Sequence, residues 1–176
     1  MGIIKNQQGA VLMVSLIILL VLTLIGISGA RGVLMGERMT SASRDAKVAL
    51  EVAESMARFG EQAINALGKS SDFGAATWQH NEGEGPEDIF AEETWENSNS
   101  IAREVYMLDS NGKKMKGRMY IERFGLASSD NVGDINIGVG QTGGEETIVE
   151  VFKIVSRGVG NSGTERIIVT LYGKEF

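Results

Sequence analysis

The sequence predicts an α+β fold in which one long N-terminal helix packs on a four-stranded antiparallel sheet. Three observations carry that expectation. An uncharged apolar run fills residues 10 to 30, small residues then recur at helical spacing as far as residue 67, and the chain beyond residue 100 alternates with the two-residue period of strands.

The apolar run comes first. It follows a short polar leader, and Ala10 to Ala30 is long enough to cross a bilayer core, which needs roughly 20 residues at about 1.5 Å each. A cleaved secretory signal is the competing reading, with a small-x-small pattern at Ser28-Gly29-Ala30, but its apolar region would span only about 7 to 15 residues. Positive charges leave the orientation open, because Lys5 precedes the run while Arg31, Arg38 and Arg44 follow it.

The helical pattern continues past Ala30. Ala42, Ala46, Ala49, Ala53, Met56, Gly60, Ala63 and Leu67 recur at alternating spacings of four and three, which places them on one helix face. Lys47, Glu51, Glu54, Arg58 and Glu61 fall elsewhere, with Glu54 and Arg58 in the favourable i,i+4 order. One helix from residue 10 to about 67 is therefore expected, apolar all round over 10–30 and amphipathic over 31–67. Gly26, Gly29, Gly32 and Gly36 mark the join, each costing about 1 kcal/mol relative to Ala, so the helix is expected to bend or melt there. Core packing alone accounts for the small-residue stripe.

A globular domain is expected over 68–176, opening with an acidic connection over 68–100. That connection carries Asp72, Glu82, Glu84, Glu87, Asp88, Glu92, Glu93 and Glu96 against Lys69 alone, so the rest of a chain with net charge -6 is about neutral. No basic stripe exists to neutralise phosphates, which disfavours nucleic-acid binding. The connection also holds both tryptophans, Trp78 and Trp95, with Phe73, Phe90 and Pro86. A surface connection pinned by its aromatics and a partner-facing loop both fit that composition.

Residues 101–176 read as the sheet. Ile101 to Leu108 and Lys116 to Phe124 flank a turn in which Asn111-Gly112 suits positive φ, with Met119 and Ile121 on one face. Thr147 to Arg157 and Thr164 to Tyr172 flank Gly158 to Gly163, with Ile167, Val169 and Leu171 on one face. The chain has 23 glycines and a single proline, so turns are prominent, and it has no cysteine, which removes disulfides and thiolate chemistry.

Several apparent motifs fail on context. Gly138 to Gly143 spells a dinucleotide fingerprint, but a strand pattern follows where a helix is required, and the same spelling recurs in the turn at Gly158 to Gly163. Asp109, Asn111 and Lys113 sit at alternate positions of a calcium loop, yet Lys113 replaces a ligand and Tyr120 stands where a bidentate Glu is needed. Asp130, Asp134 and Asn136 could offer oxygens to calcium, although polar turn residues explain them as well. His80 is the only histidine, so neither a zinc site nor a Ser-His-Asp arrangement has material to build on.

The residues Gln7-Gln-Gly9-Ala10, then an apolar helix, then Glu37-Arg38-Met39, Arg44-Asp45 and Ala49-Leu-Glu-Val-Ala-Glu-Ser-Met-Ala57 resemble type IV pilus minor pilins of the PilX kind. The resemblance is specific over residues 7 to 60 and looser in the strands at Met119 to Glu122 and Phe152 to Gly158. It implies a pilin fold and a non-enzymatic prepilin. The leader, residues 1–9, would be removed after Gly9 by the inner-membrane prepilin peptidase, and Ala10 would become a methylated N-terminus. Retention of the leader on the cytoplasmic side would place the domain in the periplasm before assembly and on a cell-surface pilus afterwards. Implied partners are other minor pilins, the major pilin, the inner-membrane assembly platform and the inner membrane itself; no cofactor is implied.

Val14 occupies the fifth mature position, where major pilins carry Glu; an apolar residue there is common in the PilX kind. The acid is thought to pair with the terminal amine of a subunit already in the filament. A subunit entering first has no such neighbour, so Val14 points to an initiating or tip subunit. A tip pseudopilin of a type II secretion system shares this logic but usually carries a larger inserted domain, and a signal-anchored periplasmic enzyme or binding protein lacks visible catalytic groups.

Overall fold

Helix α1 (Gln8–Asn65) opens the computed structural model, which describes residues 8–128 and 148–176. The chain divides into a first unit that ends at Ser43 and a second, Arg44–Phe176.

In the first unit the helical pattern runs unbroken through Gly26, Gly29, Gly32 and Gly36. Apolar side chains from Val11 to Ile27 are exposed around it, and it is the one helix among the described residues long and apolar enough to cross a membrane. Two of its hydroxyls bond internally: Ser15 donates to the Leu12 carbonyl and Thr23 to that of Leu20, both at 2.8 Å. Such bonds spare these two groups from standing bare in a hydrocarbon environment.

In the second unit the end of α1 packs on a sheet of β1 (Gln79–His80), β2 (Ile101–Leu108), β3 (Lys114–Ser128), β4 (Ile148–Val159) and β5 (Glu165–Lys174). The order is β1-β3-β4-β5, with β2 also paired to β3. The four expected strands form an antiparallel meander, and the two-residue β1 adds a parallel fifth. Pairing of β2 reaches only to Ile101 opposite Met119, which leaves the β3 edge at Ile121 open. The Trp78 carbonyl takes that edge, accepting from Ile121 N–H at 2.9 Å. In the turn before β3, Asp109 accepts from the N–H groups of Asn111 and Lys113 while Gly112 adopts φ 76°, so the polar residues here build a turn.

Alternation along the strands gives the sheet two buried faces. On the helix side, Met119, Ile121, Phe152 and Ile154 pack with Val52, Met56 and Ile64 of α1, and with Phe73, Val105 and Met115. On the far side, Tyr120 and Val155 are covered by Trp95, with Ile89 and Ile167 alongside. Ile167, Val169 and Leu171 do share a face, and it is this far one, because their partners are Arg157, Val155 and Lys153. The acidic connection thus folds across the sheet as its second cover. Arg157 pairs with Glu92 at 2.9 Å and also with Glu165, Glu122 pairs with Lys153 and accepts from Gly83 N–H, and Arg118 reaches Asn97.

The helix ends where its carbonyls meet a cation. Lys174 donates to the carbonyls of Ile64 and Asn65 in the last turn and of Leu67 just beyond it, and its charge suits the negative end of the helix dipole.

Candidate functional site

Gly9, Ala10 and Val14, the residues expected at the processing junction and the fifth mature position, lie in the first two turns of α1. The helix begins at Gln8 and carries no acid in its first turn. Ala10 and Val14 are both exposed, and at i,i+4 they fall on the same side, one turn apart. Residues 1–7 of the expected leader lie outside the described residues, as do Asp130, Asp134, Asn136 and the run from Gly138 to Gly143.

Of the helix residues singled out for packing, Ala49, Ala53, Met56 and Gly60 are buried, Ala46 and Ala63 are half-buried, and Ala42 is exposed. Leu67 is half-buried beyond the helix end. Val52 and Ile64, at 0% exposure, were not in that stripe; the buried band is centred between them and the alanines. The reason is close approach. Gly117 and Gly158 are cross-strand partners under the helix, and a Cβ on Gly158 would stand 2.1 Å from the Ala49 carbonyl oxygen. A Cβ on Gly117 would stand 2.4 Å from Met56 Cγ. Small residues on both surfaces let helix and sheet backbones nearly touch, and Val52 and Met56 fill the space beside them.

A charged residue completes the band. Asp45, one turn before Ala49, is buried and accepts from the N–H groups of Ser162 at 2.8 Å and Thr164 at 3.1 Å, which ties the β4–β5 turn to the helix. The Thr164 side chain and the Ser162 N–H hold its carboxyl below the ordinary value. Counting only apolar residues passes over Asp45, although its i+4 spacing to Ala49 puts it on the packed face.

His80 and Tyr120 serve structure. His80 bonds to the Asn99 carbonyl at 2.9 Å and meets Tyr120 edge-on with ring centroids 5.6 Å apart. Burial, with help from the Glu122 charge, pushes the Tyr120 hydroxyl up to about 12. Among the described residues no grouping of three or more His, Cys, Asp or Glu could hold a metal.

Residues 8–57 match the family described as PilX N-terminal, a type IV pilin-like prepilin family of structural, non-enzymatic proteins. No curated protein and no solved structure matches the chain.

Proposed function

We propose, from the premise that residues 8–57 are a PilX N-terminal domain of the type IV pilin-like prepilin family, that this chain is a minor pilin that initiates pilus assembly. In this reading it stands at or near the filament tip with other minor pilins. The observation that carries the reading is Val14, an apolar residue one turn after Ala10 in a helix whose first turn has no acid. A charge at membrane depth costs about 2.5–3.5 kcal/mol on insertion scales unless a partner satisfies it. A first subunit meets no earlier subunit's amine, and Val14 asks for none.

Prepilin peptidase cuts between Gly9 and Ala10, and the chain waits as a single-pass protein of the bacterial inner membrane with its domain in the periplasm. The apolar helix, consistent with membrane anchoring, then moves from lipid into a bundle of like helices at the assembly platform. There is no hydrophobic gain between two apolar media, so packing decides the fit. Gly32 and Gly36, one turn apart with nothing within 4 Å of where a Cβ would stand, offer a close approach to another helix. The major pilin builds the shaft behind it.

Deleting the gene and counting surface pili tests this reading. Pili should be lost or sharply reduced and should return on expression of the wild-type chain; undiminished pili would remove the initiating role.

A further inference from the structure

We propose that the groove between the end of α1 and β2 is a docking site for the loop over residues 87–93 of a second copy of this chain. The groove encloses about 780 Å³ and is walled by Phe59, Tyr106 and Met107, with Arg58, Arg103 and Lys114 among its lining side chains and Glu104 the one acid among them. Arg103 stacks its guanidinium 3.9 Å from the centre of the Phe59 ring, and the Lys114 ammonium lies 5.9 Å from that of Tyr106. Tyr106 itself is 100% exposed. A bare tyrosine beside an arginine over an aromatic floor has the composition of an interface centre.

The complement is on the same chain. Asp88 locks a turn by accepting from the Phe90 N–H at 2.8 Å through its carboxylate, while its carbonyl accepts from the Ala91 N–H and the Thr94 hydroxyl. Ile89 and Trp95 are turned onto the sheet, and the Trp95 indole N–H donates to the Ile89 carbonyl. Phe90 is thereby held outward at 79% exposure, flanked by Glu87, Asp88 and Glu93, while Glu92 is already paired with Arg157. The loop offers one aromatic anchor in a ring of negative charge, and the groove offers aromatic walls with an excess of positive charge. Because these hydrogen bonds already fix the turn, less conformational entropy is lost on docking than for an untied loop.

One chain cannot satisfy itself this way. The loop lies on Tyr120 and Val155, the sheet face opposite the helix, whereas the helix side of the groove is α1 itself. The contact between copies is consequently heterologous, loop of one to groove of the next, and its rotation decides whether a few copies close into a ring.

The inference goes beyond the initiating role and stands on the folded second unit alone. The absence of native cysteine allows a direct test in the full-length membrane protein. One copy carries Ala102→Cys in the groove and a co-expressed copy carries Ala91→Cys beside Phe90. Mild oxidation should give a mixed disulfide dimer, and its yield should fall by about tenfold when the loop copy also carries Phe90→Ser or the groove copy Arg103→Glu. Both sites are exposed, so these variants keep the fold. Glu87→Lys with Glu93→Lys in the loop copy should restore the dimer to Arg103→Glu. The proposal is overturned by a yield no higher than that of Ala102→Cys with Ser71→Cys, by indifference to Arg103→Glu, or by capture of a different protein at Ala102→Cys. None of these failures would restore pili to a deletion strain, so the two readings fail separately.

Discussion

Gly158 of β4 and Ala49 of α1 approach so closely that a Cβ on the glycine would stand 2.1 Å from the alanine's carbonyl oxygen. The obstacle is backbone on the helix side, which cannot rotate away as a side chain would. Gly158→Ala should destabilise the second unit by about 3 kcal/mol, the upper end of the usual overpacking range. Ala53→Leu, at a fully buried neighbour, should cost about 1–3 kcal/mol, while the exposed Glu54→Leu should stay within about 0.5 kcal/mol. Thermal unfolding of the three variants checks the order, and equal shifts for Ala53→Leu and Glu54→Leu would mean that the packed face is assigned wrongly.

Asp45 should make this packing pH-dependent. Hydrogen bonds from the Thr164 side chain and the Ser162 N–H lower its folded-state pKa. A lowered carboxyl contributes stability that is present above its unfolded value of about 3.9 and is lost as pH falls through the folded value. Asp45→Asn should therefore melt below wild type at pH 7, and the gap should close as pH falls below the unfolded value and through the lowered folded one. A gap that is unchanged at low pH would show that shape, not charge, holds the β4–β5 turn.

Periodicity reaches far in this chain, because α1 and the four long strands each repeat one pattern over many residues. Met119 and Ile121 could be assigned to one face from their spacing, and both are buried. What spacing cannot say is which face meets the helix. Ile167, Val169 and Leu171 alternate well, yet they look away from α1, and Thr170 and Tyr172 take the helix side through their pairing with Ile154 and Phe152. The second cover was hidden for another reason. Trp95, at 4% exposure, sits in a segment whose composition is that of a solvated loop, and Glu92 of that segment is held by Arg157 from a strand distant in sequence. Asp45 belongs to the Arg44-Asp45 motif, but its packing role is not legible there, because a charged residue reads as surface until its partners are known.

Processing is the most local of the expectations. Mass spectrometry of the mature chain should find an N-methylated terminus at Ala10, and Gly9→Val should leave the leader attached. A terminus at Arg31 would establish a conventional signal peptide and remove the prepilin reading.

Val14 carries the central claim, and counting pili on cells that express Val14→Glu tests it most directly. If this chain initiates assembly, the introduced carboxylate meets no earlier subunit's amine, so membrane insertion survives while the initiating complex weakens. Pilus number per cell should fall, with the length and stability of the remaining filaments unchanged, because the shaft is built of other subunits. An unchanged pilus number, with more of this protein along the shaft, would contradict the claim and make the chain an ordinary interspersed subunit.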